Sequence, residues 1–267
     1  MIRVVDSATK FDASCRDTVL VCGSHGGLYP AYLAASARCR AVILNDAGVG
    51  KDDAGIAFLH YCADLGMAAA AVDAHSARIG DADDMMRRGR ISHVNAIAAD
   101  LGLRVGDDCM AAAERLEAAP VWTKAPPAYA EARSVIEGVS GLPRVVLIDS
   151  ASLVRPEDAG QIVITGSHGG LVGGAPKMAL QVDALAAAFH DAGGGIDGAG
   201  TSRLPALDAR GIAAVTVAAS SARIGDARSV FEEGVISHAN QTAVCRGASL
   251  GMGVSDFVAV IVARPAP

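Results

Sequence analysis

The strongest constraint on this chain is that it says the same thing twice. Val5-Asp6-Ser7-Ala8 returns as Ile148-Asp149-Ser150-Ala151, and Gly23-Ser24-His25-Gly26-Gly27 returns letter for letter as Gly166-Ser167-His168-Gly169-Gly170, both at an offset of 143 residues. Three further blocks follow at an offset of 145. Asn45-Asp46-Ala47-Gly48 matches His190-Asp191-Ala192-Gly193. The six residues from Ser76 to Asp81 recur intact from Ser221 to Asp226, and Ile91-Ser92-His93-Val94-Asn95 matches Ile236-Ser237-His238-Ala239-Asn240. Five blocks in one order with a single two-residue gap require an internal duplication. The chain must therefore fold as two similar units.

Each unit reads as alternating strands and helices. Apolar, β-branched runs near 2–6, 18–22, 40–45 and 67–73 in the first half, and near 144–149, 160–165, 184–190 and 212–218 in the second, predict strands. Their nearly continuous apolar character is that of parallel strands covered on both faces. Helical patterns fall near 28–38, 53–65, 84–102 and 108–118, then near 175–182, 200–209 and 227–247. The tail from Phe257 to Ala263 reads as one more strand. Strand–helix alternation predicts an α/β fold built of two tandem pseudo-symmetric repeats, each a mostly parallel sheet flanked by helices. Residues 1–118 form the first repeat and 144–267 the second. A Pro-rich connecting segment, 119–143, crosses between them on either side of a pseudo-twofold axis.

Composition limits what the chain can bind. The formal charge of −6, with no basic stripe, argues against a nucleic-acid partner, which needs cationic groups to neutralise phosphates. Hydrophobic residues make up 51% and aromatic residues only 4%, so small aliphatic side chains must fill the core. The N-terminus lacks a signal-peptide layout, and no apolar run reaches the roughly 18–20 residues of a membrane span. The six cysteines have neither CxxC spacing nor a regular framework, as expected of reduced thiols in the cytoplasm. A mean hydropathy of +0.33 points to a homo-oligomer that buries apolar surface.

Three polar blocks in each half follow predicted strands. In a parallel sheet the carboxyl ends of the strands share one edge, where ligands bind. The flanking glycines of the GSHGG loops admit close ligand approach, and His25 and His168 titrate near neutrality. These are the catalytic candidates, with Asp46 and Asp191 as carboxylates placed to orient them. The Ser24, Gly26, Gly27, Ser167, Gly169 and Gly170 positions would hold a substrate or its oxyanion through hydroxyls and amides. Ser76, Arg78, Ser221 and Arg223 suit a substrate carboxylate, although internal or inter-repeat ion pairs would use the arginines equally well. Ser92-His93 lies just inside a predicted helix and could add a second imidazole. Cys22 precedes the first loop, but its counterpart is Thr165, so it reads as end-of-strand packing.

A strand ending in Ser-His-Gly followed by one ending in Asp-Ala resembles caspase-type cysteine peptidases. That family's nucleophile falls where this chain has Gly48 and Gly193, so peptidase activity is not carried over. No cofactor is expected. There is no Walker lysine and no G-x-G-x-x-G after the first strand. A divalent metal would have to draw on His25, Asp46, His75 and His93, or on His168, His190, Asp191 and His238, which lack a ligand-type spacing. The reading that follows is a cytoplasmic hydrolase, or an enzyme of related acid–base chemistry, acting on a small polar, carboxylate-bearing substrate. A lyase or isomerase with paired acid/base groups from the two repeats is the alternative, and a non-catalytic small-ligand binder is a third.

Overall fold

The computed structural model describes residues 1–138 and 141–263. Two sheets, each mostly parallel and flanked by helices, form an α/β fold with two similar halves. In the first half the order along the chain is β1 (Ile2–Val5), β2 (Val19–His25), α1 (Leu28–Ser36), β3 (Ala41–Asn45), α2 (Phe58–Leu65), β4 (Ala68–Val72), α3 (Ala82–Arg88), β5 (Ile91–Val94), α4 (Ala96–Asp100) and α5 (Cys109–Leu116). The sheet runs β1-β2-β3-β4-β5. The first four strands are parallel and β5 is antiparallel to β4.

The second half continues with β6 (Arg133–Ile136), β7 (Val145–Ile148), β8 (Ile162–His168), β9 (Ala186–His190), α6 (Arg203–Asp208), β10 (Ala213–Val217), α7 (Ala227–Glu233), β11 (Ile236–Ala239), α8 (Gln241–Cys245) and α9 (Val254–Ala263). Its sheet, β11-β10-β9-β8-β7-β6, repeats the first and adds β6, a strand of the connecting segment antiparallel to β7.

Small side chains make the sheets thin enough to be covered on both faces. β4 is Ala68-Ala69-Ala70-Ala71-Val72, with every residue fully buried. Cys22, Cys39, Cys62 and Cys109 complete the packing, and burial pushes the Cys22 thiol up to about 12. It is a wall residue, not a nucleophile.

Three expectations are corrected. The predicted helices 84–102 and 227–247 are each interrupted by a short strand, so Ser92 and His93 lie on β5, not on a helix, and Ser237 and His238 on β11. The predicted helix at 175–182 is replaced by short 3-10 turns at Val172–Gly174 and Pro176–Met178, so the second repeat has no counterpart of α1. The tail strand at 257–263 is α9. It buries Val254, Phe257, Val258 and Ile261, a spacing of three and four residues that places them on one helical face.

The two halves meet along the pseudo-twofold axis through loops at the strand carboxyl ends. Gly48 and Gly193 pack backbone against backbone: a Cβ added at Gly48 would lie 2.7 Å from the Gly193 Cα. Around them, Ala47, Ile79, Ala192, Ala199 and Ile224 form a small apolar cluster drawn from both repeats. Matched backbone hydrogen bonds cross the interface, from the Lys51 N–H to the Ala219 carbonyl (2.8 Å) and from the Ile196 N–H to the Ala74 carbonyl (2.9 Å). No helix among the described residues is long and apolar enough to cross a membrane.

Candidate functional site

The site begins with the last three residues of β2 and β8. The β2–β3 register runs from Val19 opposite Ala41 to Val21 opposite Ile43, slips, and resumes with His25 opposite Asn45. The β8–β9 ladder slips at the corresponding place and resumes with His168 opposite His190. The slip turns both histidines toward the axis. Their ring centroids lie 6.4 Å apart and their planes meet at 75°. His168 is 5% exposed and His25 is half-buried.

The second glycine after each histidine fixes its tautomer. The Gly27 N–H donates to His25 Nδ1 (3.1 Å), and the Gly170 N–H donates to His168 Nδ1 (3.2 Å). A Cβ at Gly27 would sit 2.8 Å from the His25 ring, so the ring can fold back over the backbone only above a glycine. A neutral imidazole whose Nδ1 accepts must carry its hydrogen on Nε2. Burial, with His190 nearby, brings the His25 pKa down to about 4. Burial, with Arg203, His25 and His190 adding positive potential, holds His168 well below the ordinary imidazole range. Near neutral pH both rings are uncharged hydrogen-bond donors at Nε2, each with its one lone pair already spent.

The other predicted site residues are placed differently from expectation. Asp46 and Asp191 are buried and serve the axial loops. Asp46 Oδ1 accepts from the Gly48 and Ala74 amides, and Asp191 Oδ1 from the Gly193 and Ala219 amides, all at 2.9 Å. They make no hydrogen bond to His25 or His168, so the expected carboxylate–imidazole pairs are not formed. The GSHGG amides are also committed: the Gly26 N–H donates to the Asn45 carbonyl (2.8 Å) and the Gly169 N–H to the His190 carbonyl (2.7 Å). Gly27 and Gly170 serve the imidazoles, which leaves none of these four amides for an oxyanion.

Ser76 and Ser221 each donate to a carbonyl (Asp73 and Ala218) and accept an amide (Arg90 and Val235), holding the turn before Arg78 or Arg223. The arginines are reciprocal clamps between repeats. Arg78 pairs with Asp197 at 2.8 Å and Arg223 with Asp52 at 3.0 Å, and each also approaches its own Asp81 or Asp226. Ser24 and Ser167 do face the axis. Their hydroxyls accept the Ala8 and Ala151 amides at 3.0 and 2.9 Å, which leaves each O–H free to donate. Neither has a general base beside it, because the imidazole lone pairs are occupied.

Between the two GSHGG loops lies a cleft of about 150 Å³ lined by residues of both repeats, among them Ser24, His25, Ser167 and His168. Two groups that line it were not among the sequence candidates. Glu131, in the connecting segment just before β6, is half-buried, and burial together with the charge of Asp149 raises its carboxyl to about 7. Arg203, at the start of α6, is 4% exposed and stacks over the Phe189 ring. In repeat register Arg203 stands where the first half has Phe58. A cation opposite a core aromatic is the sequence signal that could have found it. Glu131 has no counterpart in the repeat and left no such signal.

His75, His93 and His238 do not join the cleft. No group of three or more His, Cys, Asp or Glu side chains is placed to hold a metal ion among the described residues. His190 is buried, with both nitrogens engaged: Nε2 with the Ala222 carbonyl (3.0 Å) and Nδ1 with the Ala192 amide (3.0 Å).

No protein-family model, curated protein or solved structure matches this chain.

Proposed function

We propose that the cleft is the active site of an enzyme that moves a proton on a small, polar, carboxylate-bearing metabolite, at a carbon next to a carbonyl or carboxylate. The observation that carries this reading is the pair of neutral imidazoles from opposite repeats, with ring centroids 6.4 Å apart in one cleft and Nδ1 of each occupied by an amide. Neutral donors aimed at one oxygen stabilise charge as it builds there without first being discharged, the logic of oxyanion stabilisation. Glu131 is the proton acceptor: its carboxylate takes the C–H proton and the electron pair moves onto the substrate oxygen held by the imidazoles; return of that pair with protonation at carbon completes an isomerisation, or with departure of a β-substituent, protonated by the Glu131 carboxyl, an elimination. A carboxyl that titrates near the working pH is suited to both halves of that exchange. Serine-based hydrolysis is favoured less, because neither Ser24 nor Ser167 has a base. The free thiols and the high mean hydropathy support a cytoplasmic setting and self-association.

The test is incubation of the protein with a panel of small 2-oxo, 2-hydroxy and 2-amino carboxylates in heavy water, read by proton NMR. Deuterium should enter at the carbon beside the carbonyl. The rate should rise with pH through about 7, as Glu131 ionises. His25→Gln and His168→Gln should each lower turnover by about 10²–10³-fold, the usual loss for one charge-stabilising donor. Equal exchange in wild type and both variants would overturn the assignment. Oxygen-18 from labelled water appearing in the product without deuterium at carbon would replace proton transfer with hydrolysis.

A further inference from the structure

One cation in the cleft has no equivalent across the axis. Arg203 is almost fully buried, yet it pairs with no carboxylate among the described residues. Its Nε donates to the Gly170 carbonyl (2.9 Å), and its Nη1 to the Met178 (3.3 Å) and Ala179 carbonyls. These contacts fix the guanidinium plane and tie it to the GSHGG loop. They leave the two N–H donors of Nη2 without a protein partner on a side chain that lines the cleft beside His168. Burial alone brings its pKa down to about 10, so it remains charged at neutral pH.

A buried cation without a counter-ion is costly to keep. Desolvation of an ion costs several kcal/mol, repaid only by a well-placed partner. The other two candidate carboxylate-binding arginines, Arg78 and Arg223, are neutralised by Asp197 and Asp52 and lie outside this wall of the cleft. Arg203 is therefore the cation on which a ligand would supply the missing charge. The first repeat offers Phe58 at the matching place, fully buried, so the far side of the axis cannot hold a second anion in the same way.

We infer that Arg203 is the anchor for a single carboxylate group of the ligand, held on the second repeat's side of the cleft beside the His168 Nε2–H, and that it gives a pseudo-symmetric site its direction. The ligand's other end then falls toward His25. This inference rests on the reading of the cleft as an active site, but its readout is binding and needs no turnover.

The probe is acetate, with acetamide as its uncharged isostere and inorganic phosphate as the alternative anion, all at matched ionic strength. Arginine side-chain Nε–Hε resonances of the wild-type protein are followed by nitrogen-15 NMR during each titration. Acetate should shift the Arg203 resonance saturably, and acetamide should bind at least tenfold more weakly. Arg203→Lys keeps the charge but loses the fixed fork. It should bind acetate at least tenfold more weakly, with its fold checked by circular dichroism. If that variant does not fold, the wild-type titration still decides. His25→Gln should retain acetate binding even where turnover is lost. Acetate and acetamide binding alike, phosphate binding while acetate does not, or no shift at Arg203 would each overturn the anchor. A retained anchor with no deuterium exchange on any substrate would overturn only the catalytic reading.

Discussion

Set side by side, the two repeats separate what holds this molecule together from what makes its cleft directional. Wherever the repeats agree, the shared residues are occupied with structure. Asp46 and Asp191 brace the axial loops, Ser76 and Ser221 hold turns, and Arg78 and Arg223 clamp one half to the other. His25 and His168, with Ser24 and Ser167, are the shared residues in the cleft that keep an unspent donor. Three of the differences fall on the cleft: Arg203 replaces Phe58, α1 gives way to 3-10 turns, and Glu131 comes from the link between the halves. Duplication preserved the frame, and divergence within it made the cleft asymmetric.

The comparison breaks most severely at the axis. Gly48 has φ +71°, a left-handed conformation unfavourable to a β-branched residue, and any Cβ there meets the Gly193 backbone at 2.7 Å. Gly48→Val should combine backbone strain with overpacking and cost about 4 kcal/mol, with Gly193→Val close behind. Urea unfolding followed by circular dichroism measures this. An unchanged midpoint in both variants would show that the two halves do not depend on that contact.

Next in size is the attempt to restore symmetry with charge. Phe58→Arg gives the first repeat the cation of the second, but at a site built to pack an aromatic ring. It lacks the carbonyl cradle formed by Gly170, Met178 and Ala179. It should destabilise the fold by about 3–5 kcal/mol, the range for an uncompensated buried charge. A loss below about 1 kcal/mol would mean that the first repeat can solvate a guanidinium there as well as the second does, and Arg203 would cease to be special.

Much of this frame is legible in the sequence. The duplication, the mostly parallel sheets and the position of the GSHGG loops at strand ends all follow from block spacing and apolar runs, because those signals are local. Three things were not legible. The strand Ile91–Val94 is four residues long between two helices, and its alternation is too brief to stand out from the surrounding helical pattern. The Phe257–Ala263 run is rich in valine and looked extended. The spacing of Val254, Phe257, Val258 and Ile261 was the better guide, and packing against α7 overrides β propensity. The roles of Asp46 and Asp191 depended on which amides lay nearby, a tertiary fact that strand-end proximity does not contain.

The ion-pair clamps sharpen the comparison more gently. Arg78 and Asp197 are each 45% exposed, as an exposed surface pair. Arg78→Ala should cost no more than about 1 kcal/mol, and less at high salt. Its effect on KM for any substrate found should be below about twofold. A tenfold rise in KM with unchanged stability would move Arg78 from the interface into the site and displace Arg203 from its assigned role.

The last comparison tests whether His190 is a structural stand-in for Asn45. Asn45 donates from Nδ2 to the Ala77 carbonyl (3.4 Å) and accepts the Ala47 amide at Oδ1 (2.9 Å). His190 makes the equivalent pair of bonds to Ala222 and Ala192, donating from Nε2 and accepting at Nδ1. The two side chains thus offer the same donor and acceptor in the same places, and at pH 8 His190→Asn should cost under about 1.5 kcal/mol, mostly lost ring packing. They differ only in that imidazole titrates. Burial lowers the His190 pKa in the fold below its ordinary value near 6.5, so its contribution is fully present above that value. The contribution is lost as pH falls below it, because the unfolded chain then takes up a proton that the folded one refuses. His190→Asn removes that loss. Its stability should therefore decline less steeply than the wild type's as pH falls below 6.5, while His25 and His168 continue to contribute acid sensitivity. Parallel stability–pH curves for the two proteins would show that His190 is charged or hydrated in the fold, and the equivalence with Asn45 would fail.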